Sequence, residues 1–164
     1  MSAPSTPSAL LEGADLKDIV RDLAARPEAW EHLVRHDEAE RVFECLHRDD
    51  DLEVWLICWM PGHDTGFHDH DDAQAAITVA QGSVRELRLS LGREPIERRV
   101  REGELFEVEQ YVIHRVVHAG DGPAVTIHAY SPPLERMGQY EEGPHGELLR
   151  RSQSAVEELR HGTT

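Results

Sequence analysis

Two histidines stand two residues apart in the short segment PGHDTGFHDHDD. Side chains along a β-strand alternate between faces, so His68 and His70 would project to one side of a strand with Cα atoms about 6.5 to 7 Å apart. Their ring nitrogens could then bind one zinc or iron ion at about 2.0 to 2.1 Å. A lone His-x-His pair also fits a solvated acidic turn, and the adjacent Asp71 and Asp72 favour that alternative.

A second group of polar residues follows the same alternation in the segment YVIHRVVHAGDGPAVTIHAYSPP. His114 and His118 share one face of a predicted strand. Thr126, His128 and Tyr130 share one face of the next strand. Buried polar groups without hydrogen bonds cost roughly 1 to 3 kcal/mol each. A polar stripe on a core face therefore indicates either a ligand site or a structural hydrogen-bond ladder between two strands.

Short antiparallel strands would position these residues, and the sequence from residue 41 onward has that pattern. Turn residues such as Pro61-Gly62 and Gly82-Ser83 separate short runs of β-forming residues. The predicted strands are 41–47, 53–60, 74–81, 84–90, 98–101, 104–108, 112–118 and 124–130. No helical stretch long enough for a parallel crossover lies between them. An antiparallel sandwich or barrel is therefore predicted.

Two short helices are predicted before the strands. Apolar residues recur at helical spacing from Leu16 to Leu23, and Pro27 suits the first position of a second helix. The expected organisation is a disordered lead over residues 1–13, a helical cap packed on the barrel over 14–40, the barrel over 41–133, and a partly helical C-terminal tail over 134–164.

The charge balance argues against several classes of partner. The chain of 164 residues has 32 acidic and 17 basic side chains and a formal charge of −15, which repels nucleic acids and anionic lipid headgroups. No apolar run approaches the roughly 20 residues of a spanning helix, and the N-terminus does not resemble a signal peptide. We expect a cytoplasmic monomer or homodimer without a nucleic-acid or membrane partner. The two cysteines, Cys45 and Cys58, predict no structural disulfide.

The spacing of the motifs resembles that of the cupins. The segment containing His68-x-His70 resembles the first cupin motif. The segment from Gly103 to His114 resembles the second, with His118 at the position usually held by Asn and as the alternative ligand to His114. This resemblance implies a mainly β fold, a cupin-type double-stranded β-sandwich barrel (jelly roll) with two short N-terminal helices.

Four segments, CWMPGHDTGFHDH, QGSVREL, HRV and HAYSPP, closely resemble the cysteine dioxygenase family of thiol dioxygenases. The match runs from about residue 41 to 133, the whole of the predicted barrel. The first cupin motif normally also supplies a glutamate ligand, but Gln74 and Ala75 stand at those positions. The family binds non-haem Fe(II) through three histidines, so the resemblance implies that His68, His70 and His114 are the iron ligands. Three neutral imidazoles leave the +2 charge uncompensated, which favours an anionic thiolate.

The resemblance also implies the reaction and the residues that assist it. Both atoms of dioxygen would end on the sulfur of a small thiol, converting L-cysteine to cysteine sulfinate. Thr126, His128 and Tyr130 align with the Ser-His-Tyr set of the family, in which the phenol positions the substrate and donates a proton. Ala75 stands where the animal enzymes carry a cysteine crosslinked to this tyrosine, so the crosslink cannot form here.

The residue that would bind the substrate carboxylate is left open. The family uses an arginine on the strand equivalent to ERVFECLHRDD, but Phe43 or Glu44 stands near that position. Arg41 or Arg48 could reach the site from the same strand, because a guanidinium binds a carboxylate through two hydrogen bonds. Both arginines also fit surface charges. Three other functions remain open: a dioxygenase for another thiol such as 3-mercaptopropionate, a three-histidine zinc hydrolase or isomerase, and a non-catalytic metabolite-binding cupin.

Overall fold

The structure is a computed structural model that describes residues 11–156, and β-strands dominate it. One helix, α1 (Gly13–Ala24), is followed by 3-10 turns at Pro27–Ala29 and Glu31–Leu33. The strands are β1 (Val42–Arg48), β2 (Glu53–Trp59), β3 (His68–Asp69), β4 (Gln74–Gln81), β5 (Ser83–Arg88), β6 (Ile96–Arg101), β7 (Leu105–Val108), β8 (His114–Ala119), β9 (Ala124–Ser131), β10 (Arg136–Glu142) and β11 (Leu148–Ser154).

Two antiparallel sheets face each other. One has the strand order β1-β2-β9-β4-β7 and the other the order β11-β10-β3-β8-β5-β6. Apolar side chains such as Ile57, Trp59, Ile77 and Phe106 form a buried cluster together with Val116 of the opposite sheet. Strands distant in sequence are neighbours in both sheets, as in a jelly roll. The mainly β sandwich barrel predicted from the alternating sequence pattern is therefore confirmed.

The helix α1 packs on the five-stranded sheet. Its apolar face buries Leu16 and Val20 completely, against a second apolar cluster that includes Leu56 and Ile127. The second predicted helix is realised as the two 3-10 turns, and Trp30 beside them donates its indole N–H to a backbone carbonyl of α1 at 3.0 Å. Neither α1 nor any other helical segment in residues 11–156 is long and apolar enough to cross a membrane.

The C-terminal segment differs from the predicted tail. Strands β10 and β11 form an antiparallel hairpin, and β10 extends the six-stranded sheet by pairing with β3. Leu148 and Leu149, whose spacing suggested a helix, are half exposed on the edge strand β11. The weak helical periodicity is overridden because the open edge of β10 offers backbone hydrogen bonds along a whole strand. Residues 1–10 of the predicted lead and 157–164 of the predicted tail lie outside the described residues.

Candidate metal centre

Three histidine side chains converge in the interior between the sheets. His68 on β3 pairs directly with His114 on β8, and His70 follows β3. The Nε2 atoms of His68 and His70 are 3.2 Å apart, and those of His70 and His114 are 3.3 Å apart. All three residues are buried, with at most 3% of their surface exposed. The structure thus brings together the three residues predicted as metal ligands.

This spacing fits a metal ion. Two nitrogens that each lie about 2.0 to 2.1 Å from one ion are about 2.9 to 3.4 Å apart, for angles between octahedral and tetrahedral. The group that the structure assembles within residues 11–156 contains imidazoles and no carboxylate or thiol. His118 stays outside it, because its Nε2–H donates to the carbonyl of Gly122 at 2.6 Å. The alternative ligand considered from the sequence is therefore engaged elsewhere.

The Nδ1 hydrogen bonds of His68 and His114 leave the lone pair of Nε2 available for metal binding. Burial, followed by the neighbouring imidazoles, lowers the pKa of His70 and of His114 well below the usual value, so both are neutral. Nδ1 of His68 lies 3.0 Å from the carbonyl oxygen of Gly66, and Nδ1 of His114 lies 3.0 Å from Oε2 of Glu86. With Nδ1–H donating, Nε2 carries the lone pair. Lone pairs directed into one space repel each other, and a cation among them removes that repulsion.

The predicted polar stripe on β9 forms a continuous hydrogen-bonded chain beside this site. Trp59 donates its indole N–H to Oγ1 of Thr126 at 2.8 Å, and this oxygen lies 2.7 Å from Nε2 of His128. Nδ1 of His128 lies 3.0 Å from the phenolic oxygen of Tyr130. Burial is the main cause that lowers the pKa of His128 to about 3, so its ring is neutral. The ring of Tyr130 meets that of His70 edge-on, with centroids 5.1 Å apart.

The two candidate arginines occupy different places. Arg41 is buried, with 4% of its surface exposed, and its guanidinium lies 5.3 Å from the ring centroid of Trp59. It lines the same cavity as the three histidines. Arg48 lies outside this cavity lining and forms an ion pair with the buried carboxylate of Glu53 at 2.9 Å. The structure therefore brings Arg41, and not Arg48, to the candidate site.

The cavity beside the histidines is small and mostly apolar. Its free interior volume is about 20 Å³. Its apolar lining comprises Trp55, Ile57, Ile77, Val116, Leu134 and Met137. Among the described residues that line it, Arg41 is the one with a permanent charge. A small molecule with an anionic end fits such a lining better than a cationic one.

A double-stranded β-barrel with three buried histidines facing its interior defines a cupin with a candidate metal site. The family model for cysteine dioxygenase type I matches residues 9–143, and the chain belongs to this family. Cysteine dioxygenase type 1 from Danio rerio is 22% identical over 139 residues, covering 78% of this chain and 69% of the relative. The enzyme of the same name from Homo sapiens is 22% identical over 138 residues, with the same coverage of 78% and 69%.

Solved structures agree with the fold. A conserved protein with a double-stranded beta-helix domain from Klebsiella pneumoniae superposes with a TM-score of 0.55 and 16% identity, covering 75% of this chain and 94% of its own. A cupin 2 conserved barrel domain protein from Leptotrichia buccalis superposes with a TM-score of 0.52 and 17% identity, covering 62% and 45% of the two chains. These identities are too low to carry more than the architecture.

Proposed function

We propose that the protein is an iron(II)-dependent thiol dioxygenase acting on a small thiol, with L-cysteine as the substrate. The reaction is R–SH + O2 → R–SO2⁻ + H⁺, in which sulfur loses four electrons, dioxygen gains four, and the thiol proton is released. The observation that carries the proposal is the meeting of three buried imidazole Nε2 atoms without a carboxylate among them. Membership of the cysteine dioxygenase type I family supports it.

His68, His70 and His114 would hold the ion. When bound, Fe(II) supplies the one-electron redox chemistry that lets a thiolate react with dioxygen. Because the three ligands are neutral, the site retains its positive charge and favours the deprotonated form of an incoming thiol. The usual pair of histidines with one carboxylate already carries an anion from the protein. Here the substrate would supply that anion.

Tyr130 would position the substrate and exchange a proton with it. Its phenolic oxygen is held by Nδ1 of His128, whose other nitrogen is held by Thr126. This chain fixes the phenol in one orientation beside the ring of His70. Ala75 pairs directly with Tyr130 across β4 and β9, so the phenol has no thiol beside it at that position. We therefore propose an unmodified tyrosine as the proton donor.

Arg41 would bind the carboxylate of the substrate. Its guanidinium brings a permanent positive charge to the cavity, and a guanidinium matches a carboxylate through two hydrogen bonds. This favours cysteine and 3-mercaptopropionate, which carry a carboxylate, over cysteamine, which carries only an amine. Arg48 is the weaker candidate because it lies outside the lining of this cavity. Phe43, near the position of the arginine of the family, packs edge-on against Trp55 at 5.5 Å between centroids.

Oxygen uptake by the reconstituted protein tests the proposal. Metal-free protein is loaded anaerobically with Fe(II) or Zn(II) and supplied with cysteine, 3-mercaptopropionate or cysteamine. We expect iron-dependent consumption of one O2 per thiol with the two acids and little with cysteamine. Lack of uptake with every thiol would refute the dioxygenase function. In that case, catalytic turnover by the zinc-loaded protein would indicate a hydrolase or isomerase. Binding of a thiol without turnover would indicate a non-catalytic cupin.

We further propose that the protein works in the cytoplasm as a monomer or homodimer, without a nucleic-acid or membrane partner. The formal charge of −15 supports the absence of a nucleic-acid or anionic membrane partner, because it opposes binding to other polyanions. Light scattering of the purified chain would give its oligomeric state. A trimer or larger assembly would contradict the proposal.

A further inference from the structure

The three histidines differ in the hydrogen-bond partner of Nδ1, the ring nitrogen on the side away from the site. Nδ1 of His68 faces the backbone carbonyl of Gly66, a neutral acceptor, at 3.0 Å. Nδ1 of His70 is buried and has no hydrogen-bond partner within the described part of the chain. Nδ1 of His114 faces the carboxylate of Glu86 at 3.0 Å. The histidines are therefore chemically unequal, and His114 is the one with an anionic partner.

Glu86 is a carboxylate buried on a β-strand. It lies on β5 with 1% of its surface exposed, on the same interior side as His114 of the neighbouring strand β8. Its Oε1 accepts hydrogen bonds from Nε of Arg88 at 2.9 Å and from Nε of Arg98 at 3.1 Å. A buried carboxylate is costly unless it is paired, and the guanidinium groups of Arg88 and Arg98 both pair with this one. Its Oε2 faces Nδ1 of His114 and also accepts a longer hydrogen bond, 3.4 Å, from Nη2 of Arg88.

We propose that Glu86 is a positioning residue that makes His114 the strongest electron donor of the three ligands, and that Arg98 moderates this effect. A carboxylate that accepts Nδ1–H fixes the tautomer and orientation of an imidazole and raises the basicity of its Nε2. Negative charge then reaches the metal through His114, although no carboxylate binds the metal. This inference rests on the metal centre of the proposed function and not on its thiol chemistry.

Glu86→Gln tests the proposal because glutamine keeps the size of the side chain and one acceptor oxygen, and loses the negative charge. We expect zinc affinity, measured by competition with a chromophoric chelator, to fall about 10- to 100-fold. We also expect the Fe(III)/Fe(II) reduction potential to rise, because the oxidised ion depends more on donated negative charge. Glu97→Gln on the adjacent strand β6 is the matched control, since Glu97 is exposed and pairs with Arg85 at 2.7 Å.

Arg98→Gln separates an electronic role from a structural one. Removing one cation leaves more negative charge on Glu86, so the reduction potential should fall, opposite in sign to the change in Glu86→Gln. The Arg98 side chain is 48% exposed, which makes a folding defect in that variant a small effect. If Glu86→Gln does not fold, the sign of the change in reduction potential in Arg98→Gln is sufficient to test the proposal.

The inference would be overturned by unchanged zinc affinity and potential in Glu86→Gln, or by potentials of the two variants that shift in the same direction. An unshifted or raised potential in Arg98→Gln would overturn it as well. None of these measurements uses a thiol. Loss of oxygen uptake with every thiol would therefore refute the dioxygenase proposal while leaving this inference standing, whereas wild-type protein that binds no metal would refute both.

Discussion

Arg150 on β11 binds both carboxylate oxygens of Asp69, with its Nε and Nη2 each 3.0 Å from one oxygen. The phenol of Tyr140 on β10 also donates to this carboxylate, at 2.6 Å. Asp69 is 3% exposed and stands between His68 and His70. The C-terminal hairpin therefore holds the short backbone segment that carries two of the three converging histidines.

Arg150→Gln should destabilise the metal-free protein and weaken metal binding. The substitution leaves a buried carboxylate with fewer charge-assisted hydrogen bonds, which we expect to cost about 2 kcal/mol, a value reduced for the partial exposure of Arg150. Metal affinity should fall about tenfold, because Asp69 orients the ligand-bearing segment. Urea unfolding and a zinc titration measure the two effects.

Arg151→Gln is the matched control for that experiment. Arg151 is the next residue on β11, its side chain is 75% exposed, and it pairs with Glu141 at 3.4 Å. Surface pairs of this kind contribute about 0 to 1 kcal/mol. Equal losses in the two variants would contradict a specific role for the Arg150 pair.

Arg41→Gln should raise the KM for cysteine and 3-mercaptopropionate by about tenfold or more, because the charge-assisted hydrogen bonds to the carboxylate are lost. The low activity with cysteamine should not fall further. Arg48→Gln compares the other candidate and should leave KM within about twofold. Steady-state oxygen uptake at varied thiol concentration gives these values. A larger effect on KM in Arg48→Gln would reverse the assignment.

Tyr130→Phe should lower kcat about 100-fold and change KM little, as expected when a proton donor is removed and the ring is kept. Thr126→Val should lower kcat by a smaller factor, because it disturbs the phenol only through His128. Both are read from oxygen consumption by iron-loaded protein. An unchanged kcat in Tyr130→Phe would show that the phenol only fills space in the barrel.

His128 should make the metal-free protein less stable as the pH falls. Its pKa is about 3 in the folded protein, mainly through burial, against 6.5 as the ordinary value. Between these values the unfolded chain binds a proton that the folded chain does not, so the free energy of unfolding decreases with decreasing pH. One such histidine contributes a slope that approaches about 1.4 kcal/mol per pH unit.

His128→Asn should reduce that slope by about 1 kcal/mol per pH unit between about pH 6 and 5, measured by urea unfolding after chelation of metals. His145→Asn, at an exposed position, is the control. A slope that is the same in wild type and His128→Asn would show that His128 takes up its proton in the folded state.

The strand alternation in the sequence was enough to predict the barrel and a shared face for His68 and His70, whereas their meeting with His114 was implied by the family resemblance. His68 and His70 project together because they flank one residue of an extended segment, and His114 faces them across the ladder between β3 and β8. The resemblance to cysteine dioxygenases selected these three residues and Tyr130. The choice between Arg41 and Arg48 required coordinates, since both belong to one strand region.

Long-range pairing is what the sequence pattern did not reveal. Asp69 and Arg150 are 81 residues apart, and each by itself resembles a surface charge. Glu86 lies two residues after buried Val84, and this spacing on one strand face could have indicated that Glu86 is buried too. Its role became apparent only from its contact with His114 in the structure. Trp59 gave no signal of its role, although the N–H of a buried indole must find an acceptor, which here is Oγ1 of Thr126.

Metal stoichiometry tests the central claim, that one ion is held jointly by His68, His70 and His114, most directly. Wild type and single alanine variants of these residues are dialysed anaerobically against Fe(II), with His118→Ala as the control, and bound iron is measured by elemental analysis. The account predicts one iron per chain in wild type and His118→Ala, and at least about 100-fold weaker binding in the three ligand variants. Wild-type protein without iron, or ligand variants that bind iron as tightly as wild type, would contradict it.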